Sequence, residues 1–124
     1  MIIGIGTDIV EVERIEKVVK RTPNFLRGVF TKNEADYFNS KKNKYEVIAG
    51  FFAAKEALSK ALATGIRGFR LTDIEIKHTK LGKPIINLND EMKEKFKLNN
   101  YKIHVTISHT ERNAISFVVI EEVN

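Results

Sequence analysis

Asp8 closes the run Gly4-Ile5-Gly6-Thr7-Asp8. Glycines in a strand admit a close backbone neighbour or a bulky ligand, and a carboxylate at a strand end is well placed to bind a hard cation. An Asp here is also a ready N-cap for a following helix, which requires no function. Glu56 and Lys60 are four residues apart in Ala53-Ala54-Lys55-Glu56-Ala57-Leu58-Ser59-Lys60. On a helix that spacing puts both on one face, where Ala53, Ala54 and Ala57 leave room for close packing. The plain alternative is an exposed helical ion pair, which contributes about 0.2–0.5 kcal/mol.

Ser108-His109-Thr110 ends a strand-like stretch and opens a tight turn. Small hydroxyls and an imidazole in that place suit phosphate or hydroxyl contacts. Equally, Ser108 and Thr110 can satisfy turn backbone groups while His109 faces solvent. A Ser–His nucleophilic pair does not fit, because neighbouring strand residues point to opposite faces. Gly82-Lys83-Pro84 reads as a turn whose Lys83 can reach a phosphate, though turns of this composition need no function. His78 and His104 carry no distinguishing pattern. P-loop, dinucleotide-binding and His-rich zinc motifs are absent from the sequence.

These residues need elements to hold them. Ile2, Ile3 and Ile5 read as an opening strand, loosened by Gly4 and Gly6. The stripe Val12, Ile15, Val18 and Val19 predicts a helix over Val10 to Lys20, ended near Pro23. Thr31 with Glu34 forms a capping-box pattern for a helix through Phe38. Asn39 to Lys44 is polar and basic, an exposed loop. Val47, Ile48, Phe51, Phe52, Leu58 and Leu62 predict a long helix over Tyr45 to Thr64, stopped by Gly65. Strands follow at Ile74 to Lys77 and Ile85 to Leu88, around a turn at Leu81 to Pro84. A short helix is predicted at Asp90 to Lys97, then strands at Ile103 to Ser108 and Ala114 to Glu121. The sum is one α+β domain over residues 1–124, a mostly antiparallel sheet on a long central helix.

Composition narrows the chemistry. The 124 residues contain no cysteine, which excludes disulfides, thiolate metal sites and a Cys nucleophile, and favours a reducing cytoplasm. Asp8 interrupts the apolar start before a signal core or membrane span can form. The net charge of +5 attracts acidic partners. Its cations are dispersed and not interleaved with aromatics, so an acidic protein or a phosphorylated small molecule fits as well as nucleic acid.

Taken in order, four segments resemble the signatures of the holo-acyl-carrier-protein synthases, the short class of 4′-phosphopantetheinyl transferases. They are Gly4 to Ile15, Phe52 to Ile66, Gly82-Lys83-Pro84 and Ile107 to Thr110. The resemblance spans essentially the whole chain. It implies transfer of 4′-phosphopantetheine from coenzyme A to a serine of acyl carrier protein, in support of fatty acid synthesis. It implies Mg²⁺ held by Asp8 and Glu56, and Lys60 beside the coenzyme A phosphates with Gly65 and Ile66 close by. Lys83, Pro84, Ser108, His109 and Thr110 would contact coenzyme A, the last three from a neighbouring subunit of a trimer. Arg14, Lys17, Arg21 and Lys20 would dock the acidic carrier. Phe51 departs from the resemblance, because many members carry Arg there. Lys41, Lys42 or Lys44 would then meet the phosphate in its place. Two other readings are an Mg²⁺-dependent pyrophosphate hydrolase using the same carboxylates, and a small RNA-binding domain. Neither accounts for the four segments in order.

Overall fold

A computed structural model of the chain describes residues 1–63 and 68–123. In chain order the elements are β1 (Ile2–Glu11), α1 (Val12–Arg21), α2 (Phe25–Val29), α3 (Lys32–Asn39) and α4 (Lys44–Ala61). A 3₁₀ turn (Leu71–Asp73) leads to β2 (Ile74–His78), β3 (Pro84–Leu88), α5 (Asp90–Lys95), β4 (Tyr101–His109) and β5 (Asn113–Glu122). The α+β expectation holds, but the strands form two sheets: a three-stranded one ordered β1-β5-β4 and the hairpin β2-β3. Every pairing in them is antiparallel.

α4 is the axis of the molecule. Residues all around it are buried, among them Ile48, Phe51, Ala54, Ala57, Leu58 and Ala61. Towards its N-terminal half it joins a cluster with Val12, Ile15, Phe38 and Ile76. Towards its C-terminal half it packs against Ile74, Met92, Leu98, Val118 and Ile120. The three-stranded sheet presents Ala114, Ser116, Val118 and Ile120 inward, the period of two that a half-buried strand requires.

Three boundaries differ from the sequence reading. β1 does not stop at its glycines; it runs to Glu11, paired with β5 from Gly4↔Ile120 to Glu11↔Asn113. The predicted start of α1 at Val10 therefore moves to Val12, whose N–H donates to the Arg112 carbonyl at 2.9 Å. Asp8 lies inside the strand and caps nothing; the N-cap position is Glu11, which makes no side-chain cap. One-turn α2 was not foreseen, because five residues show no periodicity. Finally, α4 closes on Ala63, which takes a left-handed φ of 57°. Its N–H donates to the Lys60 carbonyl at 3.0 Å, one of the two bonds of a Schellman-type stop. The expected stop, Gly65, lies outside the described residues, as does Ile66.

Other local expectations hold. Thr31 caps α3 reciprocally: its hydroxyl accepts from the Glu34 N–H and its own N–H donates to Glu34 Oε1. Gly82 sits at φ +89°, as the β2–β3 turn demands. One more boundary differs: predicted to reach Lys97, α5 ends at Lys95. Lys97 is left-handed at φ 55°, and the Leu98 N–H closes the helix on the Lys93 carbonyl at 2.8 Å.

Candidate active site between the first strand and the central helix

Close packing of β1 on α4 builds the site. A Cβ on Gly4 would stand 2.1 Å from the Ala61 carbonyl oxygen, and one on Gly6 would stand 2.0 Å from that of Ala57. Only glycine allows this contact. The repeats match as well: two strand residues advance about 6.6 Å and four helix residues about 6 Å. The next inward residue of β1 is Asp8, which this packing delivers to the wall of a cleft it shares with Glu56.

That cleft encloses about 420 Å³. Its polar members are Asp8, Glu11, Glu56 and Arg14, and its apolar ones include Ile15, Phe25 and Phe52. Lys60 reaches across from α4 and donates to Asp8 Oδ1 at 3.1 Å and to the Thr7 carbonyl at 3.0 Å. The simple helical pair Glu56–Lys60 does not form: Lys60 bonds to β1 instead, and among the described residues Glu56 has no ion-pair partner. Burial raises the pKa of the Glu56 carboxyl, the charge of Asp8 raises it further, and Lys60 pulls the other way.

A second cleft of about 210 Å³ gathers Pro84 and Gly82 from the hairpin with Ile107 and His109 from the end of β4. Tyr37, Val47, Phe51 and His78 complete its wall. His109 places Nδ1 3.0 Å from Glu46 Oε1. Ser108 points to the opposite, exposed face of the sheet, as strand alternation requires. The Thr110 hydroxyl accepts from the N–H groups of Arg112 and Asn113, which is the turn role weighed above. Lys83 is exposed, and its N–H donates to the Thr79 hydroxyl at 3.1 Å. His109 does not line the cleft that holds Asp8 and Glu56.

Two of these wall residues escaped sequence reading. The His78 ring stacks on Tyr37 with centroids 4.8 Å apart, and burial lowers its pKa, with Lys41 adding to the effect. Phe51, in the place where Arg was expected, is buried and stacks on Tyr37 and His78 at 5.5 and 5.6 Å. Of the three cations proposed from sequence, Lys41 meets that wall: its ammonium lies 4.9 Å from the Tyr37 ring centroid. No periodic signal marks Tyr37 or His78; only the packing of α3 on β2 brings them together.

On α1, Lys17 is paired with Glu13 at 3.1 Å and Lys20 with Glu16 at 2.7 Å. Arg14 and Arg21 are exposed, and among the described residues neither is in an ion pair. On the outer face of the three-stranded sheet, β1 and β5 expose an apolar patch of Ile3, Ile5, Ile9, Ile115 and Phe117, with Ile5 61% and Ile9 66% exposed, whereas β4 turns Lys102, His104, Thr106 and Ser108 outward.

Residues 4–117 match the model of the 4′-phosphopantetheinyl transferase superfamily. A holo-[acyl-carrier-protein] synthase of Clostridium botulinum is 53% identical over 121 residues, covering 98% of each chain. This chain belongs to that family. Among solved structures, the Bacillus anthracis synthase in complex with CoA (3′,5′-ADP) has a TM-score of 0.84 at 37% identity, covering 100% of this chain and 99% of its own. The Helicobacter pylori synthase in complex with coenzyme A has a TM-score of 0.83 at 39% identity, covering 94% and 99%. Family membership makes this chain an enzyme of the transferase class, with the α+β architecture expected from its sequence.

Proposed function

We propose that this synthase moves 4′-phosphopantetheine from coenzyme A onto the serine of apo acyl carrier protein with Asp8, Glu56 and Lys60 at the reacting centre. One observation carries the reading: glycine packing brings carboxylates from two elements to one cleft, and an ammonium already bonds one of them. In the reaction, the serine Oγ bonds to the phosphorus that carries pantetheine. The bond from that phosphorus to the bridging oxygen breaks, and 3′,5′-ADP leaves. The serine proton passes to a cleft carboxylate or to water. Lys60 neutralises charge on the departing phosphate.

Asp8 and Glu56 are the residues that would hold Mg²⁺. Among the described residues there is no group of three or more His, Cys, Asp or Glu able to hold a metal. Two carboxylates suffice for Mg²⁺, which takes its remaining ligands from phosphates and water. Burial first and the Asp8 charge second raise the Glu56 pKa, and a cation held between the two carboxylates would favour the ionised form against both. When bound, the ion supplies charge neutralisation at the transferred phosphoryl group.

Coenzyme A contacts fall to Lys60, and to Lys83, Pro84, Ser108, His109 and Thr110, with Gly65 and Ile66 completing the set. The separation of the two clefts within one chain favours a site built between copies, Asp8 and Glu56 from one and His109 from its neighbour. The exposed apolar patch on β1 and β5 offers a surface for such copies to bury, consistent with a homotrimer. Arg14 and Arg21, with Lys17 beside them, form the docking surface for the acidic carrier. We read residues 1–124 as one catalytic domain acting in the cytoplasm; no described helix is long and apolar enough to cross a membrane. The deciding experiment mixes the chain with apo carrier protein, coenzyme A and Mg²⁺ and follows intact mass. The carrier gains one phosphopantetheine. Coenzyme A cleaved with no gain on the carrier would make the chain a hydrolase instead.

A further inference from the structure

Glu46 stands in the first turn of α4, one residue before Val47, which lines the second cleft. Its carboxylate meets His109 Nδ1 at 3.0 Å, and both side chains are partly shielded, 22% and 33% exposed. An ionised carboxylate only accepts hydrogen bonds, so the proton in this contact belongs to Nδ1. The ring is thereby fixed by one nitrogen, and Nε2 is the atom left for whatever enters the cleft.

The cleft wall is chemically one-sided. It carries two imidazoles, His109 and His78, and no carboxylate among its lining residues, whereas the cleft around Asp8 contains Glu11 and Glu56. The Lys41 ammonium sits close to its Tyr37 wall. On the Glu46 side the charged neighbours are Lys42, Lys44, Glu16 and Glu111. Such a wall suits an anion. A neutral imidazole with its proton on Nδ1 presents a bare lone pair at Nε2 and repels a phosphate oxygen. The imidazolium donates from both nitrogens.

We infer that Glu46 is a positioning residue that, with a phosphate of coenzyme A on the other side, holds His109 as the doubly protonated ring. The inference rests on the transferase reading above and adds the residue that makes His109 a phosphate donor. In that arrangement Nδ1 donates to Glu46 and Nε2 donates to the phosphate, so any ring that lacks a proton at Nε2 takes one up as the phosphate arrives. Glu46→Gln keeps the size of the side chain and removes the charge that favours the cation.

The test is calorimetric titration of coenzyme A into the whole protein at pH 7.5, in buffers of different ionisation enthalpy, for wild type, Glu46→Gln, His109→Ala and the double variant. Wild type takes up a fraction of a proton that Glu46→Gln reduces by at least half. Glu46→Gln weakens binding roughly five- to tenfold, the scale of one charge-assisted contact. The double variant binds no more weakly than His109→Ala, because Glu46 acts only through the ring. In steady-state transfer by Glu46→Gln the KM for coenzyme A rises by the same factor, with kcat within about twofold. Proton uptake unchanged in Glu46→Gln, binding within twofold of wild type, or additive losses in the double variant would each overturn the inference while transfer by wild type still stands. No transfer by wild type sinks both.

Discussion

Lys55 Nζ and Glu34 Oε1 meet at 2.7 Å, with neither side chain exposed to solvent. The ammonium also donates to the carbonyls of Val29 at 2.8 Å and Leu71 at 2.9 Å. Glu34 in turn accepts from the N–H groups of Thr31 and Ile76. One buried pair therefore ties α2, α3, β2 and the turn after residue 70 to α4, beside Glu56. Burial pushes the Lys55 pKa down and Glu34 opposes it, so the pair is stable only as a pair.

Removing one partner strands the other charge. Lys55→Met should cost about 3–5 kcal/mol of folding stability, and Lys55→Met with Glu34→Leu should cost less than Lys55→Met alone. Urea denaturation of wild type and the two variants measures both. A double variant worse than the single one would show that the pair contributes more than compensation of its own burial.

Glu56→Gln separates stability from activity. The folded-state pKa of Glu56 lies above its unfolded value, so the folded state holds this proton more tightly. Its contribution is fully favourable below the unfolded carboxylate pKa and is lost as pH rises through the folded one. Near pH 7 the substitution should raise the melting temperature, and the gain should vanish below the ordinary carboxylate range. Transfer should fall by about a hundredfold or more. An active Glu56→Gln enzyme would remove this residue from the centre.

Gly6→Ala tests the packing that delivers Asp8. The new methyl meets the Ala57 carbonyl 2.0 Å away, so strand and helix must part. Thermal unfolding should show a loss of about 1–3 kcal/mol, and kcat should fall although no cleft side chain has changed. Wild-type kcat in a folded Gly6→Ala chain would mean that Asp8 tolerates a shifted strand.

Charge reversal of Arg14 and Arg21 to Glu probes docking. Carrier binding should weaken and lose its salt dependence, and Arg21→Glu alone, which lies outside the cleft, should leave coenzyme A binding within about twofold. Surface plasmon resonance against apo carrier at two ionic strengths is the measurement. Unaltered docking moves the partner surface elsewhere.

Mixed assemblies test the shared site. Asp8→Ala and His109→Ala chains, each weak alone, should regain part of wild-type activity when co-refolded. Some interfaces then combine an intact Asp8 with an intact His109. Native mass spectrometry confirms mixing; activity no greater than the parental average in confirmed mixed assemblies confines the site to one chain.

The sequence by itself determined whatever neighbouring residues decide. Thr31 and Glu34 are three apart, so their capping box was legible. The spacing of Val47, Ile48, Phe51 and Leu58 announced α4, Gly82 announced its turn, and the ordered motifs announced the family. Other features depended on partners far along the chain. Val10 and Val12 fit a helical stripe as well as a strand, and only pairing with β5 carried β1 through to Glu11. Lys60 had a local partner in Glu56, yet it bonds Asp8, 52 residues away, because glycine packing puts β1 within reach. Glu34 looked like a cap and is also the counter-ion of a lysine 21 residues on. Phe51, where a cation was expected, became core because α3 and β2 close over it. Caps and periodicity are contacts within a turn or two; which charge meets which, and which face is covered, is fixed only when distant elements pack.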